Sequence, residues 1–207
     1  MEGRYISVVP LDPAKHGPAL WEATRGAENQ GLWRYLFDGP FADREGFDAH
    51  LEQKAATEDP LAFTIIGQGS RRALGYASYM RMEPRHRVIE VGSILFSPAL
   101  QHTAGATEAM LLMARHVFED LGYRRYEWKC DSLNESSRRA ALRLGFTFEG
   151  IFRQHMMVKG RNRDTAWYSM LDGEWPSRKA AFEKWLHPSN FDDQGMQKSS
   201  LASLRQG

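Results

Sequence analysis

The sequence predicts an α/β protein in which helices flank a mixed, mostly antiparallel sheet of about seven strands. The first indication is an apolar strand at residues 89–96, followed by a turn of small residues and a helix. That helix carries apolar residues at helical spacing, namely Met110, Met113, Val117 and Leu121. The second indication is a strand at 126–131 that leads into a short helix ending at Gly145. Two such junctions side by side predict a cleft at the strand ends of the sheet, and the N-terminus of the long helix favours an anion there.

The segments before this central region alternate between strands and helices. They are a strand at 5–9, a helix at 13–23, an aromatic segment at 32–41, a helix at 43–55, and hairpin strands at 61–66 and 73–82. Asp43 is expected to cap the second helix, because its carboxylate can accept from amides of the first turn.

A second hairpin, a last helix and a polar tail follow Gly145. Their predicted ranges are 146–158, 164–171, 176–186 and 187–207. The basic turn between the hairpin strands either meets a phosphate or is solvated, with Gly and Asn supplying positive φ. The polar tail is expected to lie outside the fold and to be partly disordered, which gives one domain at 1–186 and a tail at 187–207.

Composition argues against several classes of protein. The 207 residues carry a formal net charge of +1, so no global field favours nucleic acid or an anionic membrane. The single cysteine, Cys130, excludes an intrachain disulfide and suits a reducing cytoplasm, where we expect the protein. No stretch approaches the ~20 apolar residues that span a bilayer. The histidines lack the spacing of metal ligands, so we expect no metal site.

Short motifs occur in a characteristic order along the chain. They are Phe96-Ser97-Pro98, Gln101, Asn134 and Leu144-Gly145-Phe146. In this order and spacing, residues 4–186 resemble the GCN5-related N-acetyltransferases. Residues 134–153 resemble the branch that acetylates the N-termini of ribosomal proteins. The resemblance implies this family's fold, with the sheet splayed at a cofactor cleft, and transfer of an acetyl group from acetyl-CoA to a primary amine.

The resemblance assigns cofactor binding mainly to the backbone. In the family, amides of the loop before the long helix hold the CoA pyrophosphate, and the splayed strand binds the pantetheine arm. The corresponding positions here are Ile94, Leu95, Phe96, Gln101, His102, Thr103, Ala104, Gly105 and Ala106. Ala104 departs from the family's glycine, and a positive φ there would cost about 1 kcal/mol. The alternative is an ordinary turn whose small residues allow close packing.

Asn134 and Ser137 lie in the first turn of the short helix. Asn134 is expected to cap that helix, and the resemblance adds hydrogen bonding toward the pantetheine arm. Many family members have a tyrosine acid seven residues after this asparagine, where this chain has Ala141. The ribosomal branch has a serine at the position of Ser137, and the resemblance implies that this hydroxyl hydrogen-bonds the departing sulfur, with plain capping or solvent exposure as the alternatives.

A carboxylate is expected to help deprotonate the acceptor, because an amine attacks only in its neutral form. Glu90 on the splayed strand and Glu149 near the start of the late hairpin are the candidates, and each is alternatively a surface charge. A covalent step through Cys130 is not expected, since strand alternation groups it with packed aromatic residues. We therefore expect direct attack in a ternary complex.

The acceptor is either a protein N-terminus or a small-molecule amine. The resemblance places Trp33, Tyr35 and Tyr79 in segments that flank the acceptor side of the cleft, although core packing is an alternative for the aromatic segment. The late strands allow a homodimer. Two other functions stay open: a CoA-binding module that has lost turnover, motivated by Ala104 and the missing tyrosine, and a polar tail that docks a partner.

Overall fold

Residues 1–205 are described by a computed structural model, in which five α-helices flank one seven-stranded sheet. The strands are β1 (Ile6–Pro10), β2 (Leu61–Gly67), β3 (Ala73–Glu83), β4 (Val88–Phe96), β5 (Arg125–Asp131), β6 (Thr147–Val158) and β7 (Arg161–Leu171). The helices are α1 (Pro13–Thr24), α2 (Arg44–Ala55), α3 (Ala104–Arg115), α4 (Glu135–Leu144) and α5 (Trp175–Leu186). Within this described part, no helix has the length and apolar character needed to cross a membrane. The predicted fold class is confirmed.

The sheet has the strand order β1-β2-β3-β4-β5-β7-β6, and one pair of neighbours, β4 and β5, is parallel. The other neighbouring strands are antiparallel. A parallel pair needs a crossover connection, which here contains α3. Helix α3 follows the carboxyl end of β4, and α4 follows that of β5. Because the two strands are parallel, both helices begin at the same end of the strands.

The two faces of the sheet are covered differently. On one face, α3 and α5 contribute Met113 and Phe182 to the larger core. On the other face, α1 and α2 contribute Leu20, Phe47 and Leu51 to a smaller core against β2, β3 and β4. Within residues 1–205, this smaller core contains no side chain of β5, β6 or β7. That half of the second face is therefore available to line a cleft.

A buried carboxylate holds β1 against the start of α3. Glu108 is 6% exposed, and its oxygens accept hydrogen bonds from the amides of Arg4, Tyr5 and Ile6 at 2.8, 2.7 and 2.9 Å. Hydrogen bonds to a charged acceptor contribute more than neutral ones, typically about 1.5–3 kcal/mol each. The N-terminal segment is thus fixed to α3, the helix whose first turn faces the cleft.

The turn between β6 and β7 is tied to the aromatic segment. Lys159 Nζ donates to the carbonyls of Trp33 and Asp38 at 2.7 and 2.8 Å, and Arg161 donates to the carbonyl of Arg34 at 3.1 Å. The positive φ angles belong to Lys159 and Gly160, whereas the sequence suggested Gly and Asn. The turn thus holds the aromatic segment, whose Tyr35, Leu36 and Phe37 line the cleft.

The prediction that the polar tail lies outside the fold is wrong for residues 187–205. Leu201 is 1% exposed, and Trp185 Nε1 donates to the side chain of Gln197 at 2.7 Å. Asn190 is buried and donates to the carbonyl of Trp185 at 3.0 Å. Aperiodic apolar residues and side-chain hydrogen bonds hold the segment, and neither produces a compositional signal. The end of the predicted tail, 206–207, lies outside the described residues.

We predict that Leu201→Ala lowers the free energy of unfolding by about 2–4 kcal/mol, because it leaves a cavity under the tail. Urea denaturation measures the change. Leu133→Ala is the matched control, since Leu133 is 75% exposed and its truncation should change stability by less than about 0.5 kcal/mol. Equal effects of the two substitutions would contradict the packing of the tail.

Candidate active site

The cleft begins where β4 and β5 separate. Their parallel pairing runs from Val88 opposite Arg125 to Val91 opposite Trp128, and both strands then continue apart. Beyond this point β4 stays paired with β3 and β5 stays paired with β7. The two strands therefore present facing edges to the gap, as the prediction of a splayed sheet required.

The free edge of β4 directs backbone amides into this gap. The Ser97 amide donates to Leu74 of β3 at 3.0 Å. Because successive amides of a strand alternate in direction, those of Phe96 and Ile94 point away from β3 and toward β5. The amide of Leu95 points to β3 instead, and its side chain is buried in the smaller core. Two of the three predicted strand positions thus offer donors to a ligand.

A β-bulge shapes this part of β4. The register with β3 shifts between Tyr76 and Ser78, and Ser93 takes a positive φ of 48°. Lys54 of α2, which is 7% exposed, donates to Ser93 Oγ at 2.8 Å. Burial lowers the pKa of the Lys54 ammonium. Bulges increase local twist and re-aim neighbouring groups, so α2 helps set the direction of the free edge.

The first turn of α3 lines the adjoining end of the cleft. The side chain of Thr103 caps the helix by accepting from the Ala106 amide at 3.2 Å. Within residues 1–205, the amides of His102, Ala104 and Gly105 donate to no protein atom. Unpaired amides at a helix N-terminus attract an anion. Ala104 begins the helix without a positive φ, so its departure from glycine causes no backbone strain.

Gly105 is explained by packing rather than by a ligand. A Cβ at this position would lie 2.9 Å from Cγ2 of Ile6, because β1 passes close to the helix. Gln101 lines the cleft and braces the loop by donating to the carbonyl of Phe96 at 3.0 Å. The predicted loop residues are thus brought together, but Gly105 can contribute only its amide.

Asn134 and Ser137 meet the cleft from the α4 side. Asn134 caps α4, its side chain accepting from the Ser137 amide at 3.1 Å. Ser137 Oγ accepts from Trp128 Nε1 at 3.0 Å. Since an indole N–H only donates, the Ser137 hydroxyl keeps its own proton to donate. Ala141 is completely buried in the larger core.

Glu90 lines the cleft beside the point of separation and is 4% exposed. Its Oε2 accepts from Arg81 at 2.8 Å and from Lys129 at 2.9 Å. Lys129 also pairs with Glu127 at 2.7 Å and lies 4.0 Å from the ring centre of Trp167. Glu90 is therefore a buried but compensated carboxylate. Within the described chain its Oε1 receives no hydrogen bond.

Glu149 does not lie in the cleft, which corrects its assignment as a candidate base. It is exposed and accepts from Arg125 at 2.8 Å and from Ser169 Oγ at 2.7 Å. The hydrogen bond from Arg125 is the main cause of a lowered pKa for this carboxyl. Arg125 pairs with Val88 at the far end of β4, away from the point of separation. The ion pair joins residues distant in sequence, so no local pattern revealed it.

Of the three predicted acceptor residues, only Tyr35 lines the main cleft, where its hydroxyl donates to the carbonyl of Leu133 at 3.0 Å. Trp33 is 3% exposed and packs edge-on against Phe41, with ring centres 5.3 Å apart. Tyr79 is buried and donates to the carbonyl of Met113 at 2.8 Å, and burial raises its pKa strongly. The roles predicted for Trp33 and Tyr79 are corrected, because both side chains belong to hydrophobic cores.

Several cleft residues were missed from the sequence. They are Phe37, Lys129, Arg139, Arg143, His155, Arg163, Thr165 and, from the tail, Met196. Strand alternation contains a signal for part of this set, since Arg163, Thr165 and Trp167 fall on one face of β7. The tail residues carry no comparable signal. The cleft as a whole has a volume of about 1790 Å³, more than the 300–1,000 Å³ typical of small-molecule pockets.

Cys130 lines the cleft but is suited to packing. It is 5% exposed, and burial raises the pKa of its thiol. The neutral thiol is a poor nucleophile, which agrees with a direct mechanism. Among the residues that the structure describes, no group of three His, Cys, Asp or Glu side chains is placed to hold a metal ion.

Residues 9–147 match the family model described as "Acetyltransferase (GNAT) domain". A Bacillus subtilis protein described as "Putative ribosomal N-acetyltransferase YdaF" is 34% identical over 84% of this chain and 96% of its own length. "Uncharacterized N-acetyltransferase YoaA" of the same organism is 28% identical over 52% of this chain, which spans only 60% of that relative.

Two solved structures show the same architecture at higher identity. A GCN5-related N-acetyltransferase from Brucella melitensis is 48% identical with a TM-score of 0.98, covering 100% of this chain and 93% of its own. A protein of Chromobacterium violaceum described as a probable acetyltransferase is 45% identical with a TM-score of 0.79, covering 84% and 87%. With a family model that matches more than half of the sequence, the chain belongs to the GNAT (GCN5-related N-acetyltransferase) family of acetyltransferases.

Proposed function

We propose that the protein transfers an acetyl group from acetyl-CoA to a primary amine, which attacks directly in a ternary complex. The observation that carries the proposal is the gap between β4 and β5, where the amides of Ile94 and Phe96 face a cleft. Beside it lie the amides of His102, Ala104 and Gly105, which have no protein partner in residues 1–205. Members of this family take acetyl-CoA as their donor. Holding donor and acceptor together accounts for most of the acceleration in such a reaction.

The chain offers groups that fit each part of the cofactor. Amides of His102, Ala104 and Gly105 suit the diphosphate, because donors at a helix N-terminus favour negative charge. The free edge of β4 suits the amide groups of the pantetheine arm as an added strand would. Arg143 lies near the same end of the cleft, with a hydrogen bond to Thr107 at 3.1 Å, and adds positive charge.

The catalytic roles follow from the hydrogen bonds of Ser137 and Glu90. Ser137 keeps a hydroxyl proton that it can donate to the departing thiolate, in place of the absent tyrosine. Glu90 has one oxygen without a protein donor and can take a proton from the amine, directly or through water. Main-chain amides aimed at the thioester oxygen are worth roughly 3 kcal/mol each in the transition state.

A protein N-terminus is the acceptor we favour over a lysine side chain. An α-amine with a pKa near 8 is neutral in about a tenth of molecules at pH 7, whereas a lysine with a pKa near 10.4 is neutral in fewer than about one in a thousand. The relative YdaF, whose name describes it as a ribosomal N-acetyltransferase, supports such a substrate. A small-molecule amine is the alternative acceptor. We also propose that the protein is cytoplasmic. It has one catalytic domain in this proposal, and residues of the tail line part of the cleft.

The second function considered from the sequence was a CoA-binding module without turnover. It was motivated by Ala104 and by the missing tyrosine at Ala141. The helical conformation of Ala104 and the available hydroxyl of Ser137 support turnover over this alternative. A homodimer through the late strands stays a prediction, with β6 at the sheet edge and Met157 72% exposed.

Release of free thiol from acetyl-CoA, measured across a panel of peptides and small amines, tests the proposed reaction. Calorimetry with acetyl-CoA tests the cofactor separately. We expect saturable binding and release that depends on the acceptor. Binding without acceptor-stimulated release would support the non-catalytic module, and absence of any binding would refute both functions.

We predict that Ala104→Pro weakens acetyl-CoA binding about tenfold by removing one N–H that faces the cleft. Proline suits the first position of a helix, and Thr103 before it is extended, with φ −102° and ψ 164°. The fold should therefore be unaffected. Calorimetry measures affinity, and Ala104→Ser, which keeps the N–H, is the matched control. Unchanged affinity in the proline variant would exclude this amide from the cofactor site.

We predict that Ser137→Ala lowers kcat by about tenfold or more while leaving KM for acetyl-CoA nearly unchanged, because the leaving thiolate loses a proton donor. Steady-state thiol release measures both constants. The control is Ser177→Ala, which removes a hydroxyl from the same position of α5, the third helical residue. A full kcat in Ser137→Ala would reduce Ser137 to a structural partner of Trp128.

A further inference from the structure

The uncovered half of the second sheet face carries a buried arginine. Arg163, Thr165 and Trp167 alternate along β7, and Trp167 shares its face with Lys129 of β5. Arg163 is only 8% exposed and lines the cleft with Glu90 and Thr165. The residue is thus built into the wall of the cleft rather than extended into solvent.

Arg81 and Lys129, which lie beside Glu90, have an anionic partner, whereas Arg163 has none within 4.0 Å in residues 1–205. Arg81 and Lys129 both pair with Glu90. The Arg163 guanidinium donates from Nε to Thr165 Oγ1 at 3.2 Å. Its carbon lies 5.2 Å from the centre of the Phe37 ring.

The nearby Asp131 does not neutralise this charge by contact. Its Oδ1 accepts from the Leu133 amide at 2.9 Å, within its own turn. Burial lowers the pKa of the Arg163 guanidinium, which reflects the cost of removing the charge from water. Nearby Asp131 and Glu90 compensate this charge only from a distance. An anionic group that enters the cleft beside Arg163 would therefore be favoured. The two terminal nitrogens, which have no protein partner in the described chain, are the donors left for it.

We propose that Arg163 binds a carboxylate carried by the amine acceptor, which deepens the proposed function and rests on it. The planar guanidinium presents paired donors that match the two oxygens of a carboxylate. Arg163 and Glu90 line the same cleft, and their charges are close enough to interact. An amine beside Glu90 and a carboxylate at Arg163 can therefore belong to one small molecule or to one peptide end. An acidic residue next to a peptide N-terminus and a small amino acid both have this chemistry.

Two pairs of acceptors that differ in a single carboxylate test this inference and separate its sources. The peptide pair is Ser-Glu-Ala-Ala and Ser-Gln-Ala-Ala, both with amidated C-termini. The small-molecule pair is 4-aminobutyrate and 4-aminobutyramide. We expect the unmodified protein to favour the acid by about tenfold or more in kcat/KM in at least one pair, which identifies the source.

Arg163→Met should abolish this preference by raising KM for the acid, so that the acid and the neutral acceptor of a pair are used equally well. Arg163→Lys should retain part of the preference for the acid, because lysine keeps the charge but lacks the paired donors of the guanidinium. The control Arg153→Met removes an exposed arginine of β6 and should keep the full preference. Equal affinity of all variants for acetyl-CoA shows that the fold is intact. No preference in either pair, or a preference that survives in Arg163→Met, overturns the inference.

Failure of the proposed function gives a different result. If acetyl-CoA binds but no amine is acetylated, calorimetry of the same four probes with the CoA complex decides the inference alone. Tighter binding of an acid than of its amide, lost in Arg163→Met, supports the carboxylate site. Equal binding of acid and amide refutes it.

Discussion

The separation of β4 from β5 is the constraint on which the rest of the structure depends. Their ladder ends at Val91 and Trp128, and each strand then relies on its other neighbour. Buried backbone groups require partners, so an open gap between two central strands is stable only if a ligand or water satisfies them. The bulge at Ser93, the first turn of α3 and the cap of α4 all direct polar groups toward this gap.

Unequal helix cover divides the cleft into two functional sides. Helices α3 and α5 fill the face of the larger core, and the first turns of α3 and α4 meet the cofactor side. On the opposite face, the core formed by α1 and α2 extends only as far as β4. Beyond it, Lys159 holds the aromatic segment in place by donating to the carbonyls of Trp33 and Asp38. Charges on this side are balanced around Glu90 and unbalanced at Arg163. In the proposed reaction, one sheet thus offers a main-chain surface to the donor and a side-chain surface to the acceptor.

The central elements were predictable because their signals are local. Apolar alternation marked β4 and β5, and Asn134 and Gly145, the latter with φ 99°, mark the two ends of α4. The errors arose where distant contacts decide. The face on which Tyr79 points depends on the packing of α3, and Glu149 is taken by Arg125, 24 residues away. The tail packs through aperiodic side chains such as Leu201, which composition alone does not distinguish from a disordered segment.

Donors that belong to the main chain are present in every amino acid except proline. The side chains of His102, Ala104 and Phe96 can therefore diverge while the groups that face the cleft persist. Sequence drift at these positions is thus weak evidence that a relative has become inactive. An inhibitor anchored on these amides would meet the same contacts in divergent homologues, and point substitutions would provide few routes to resistance.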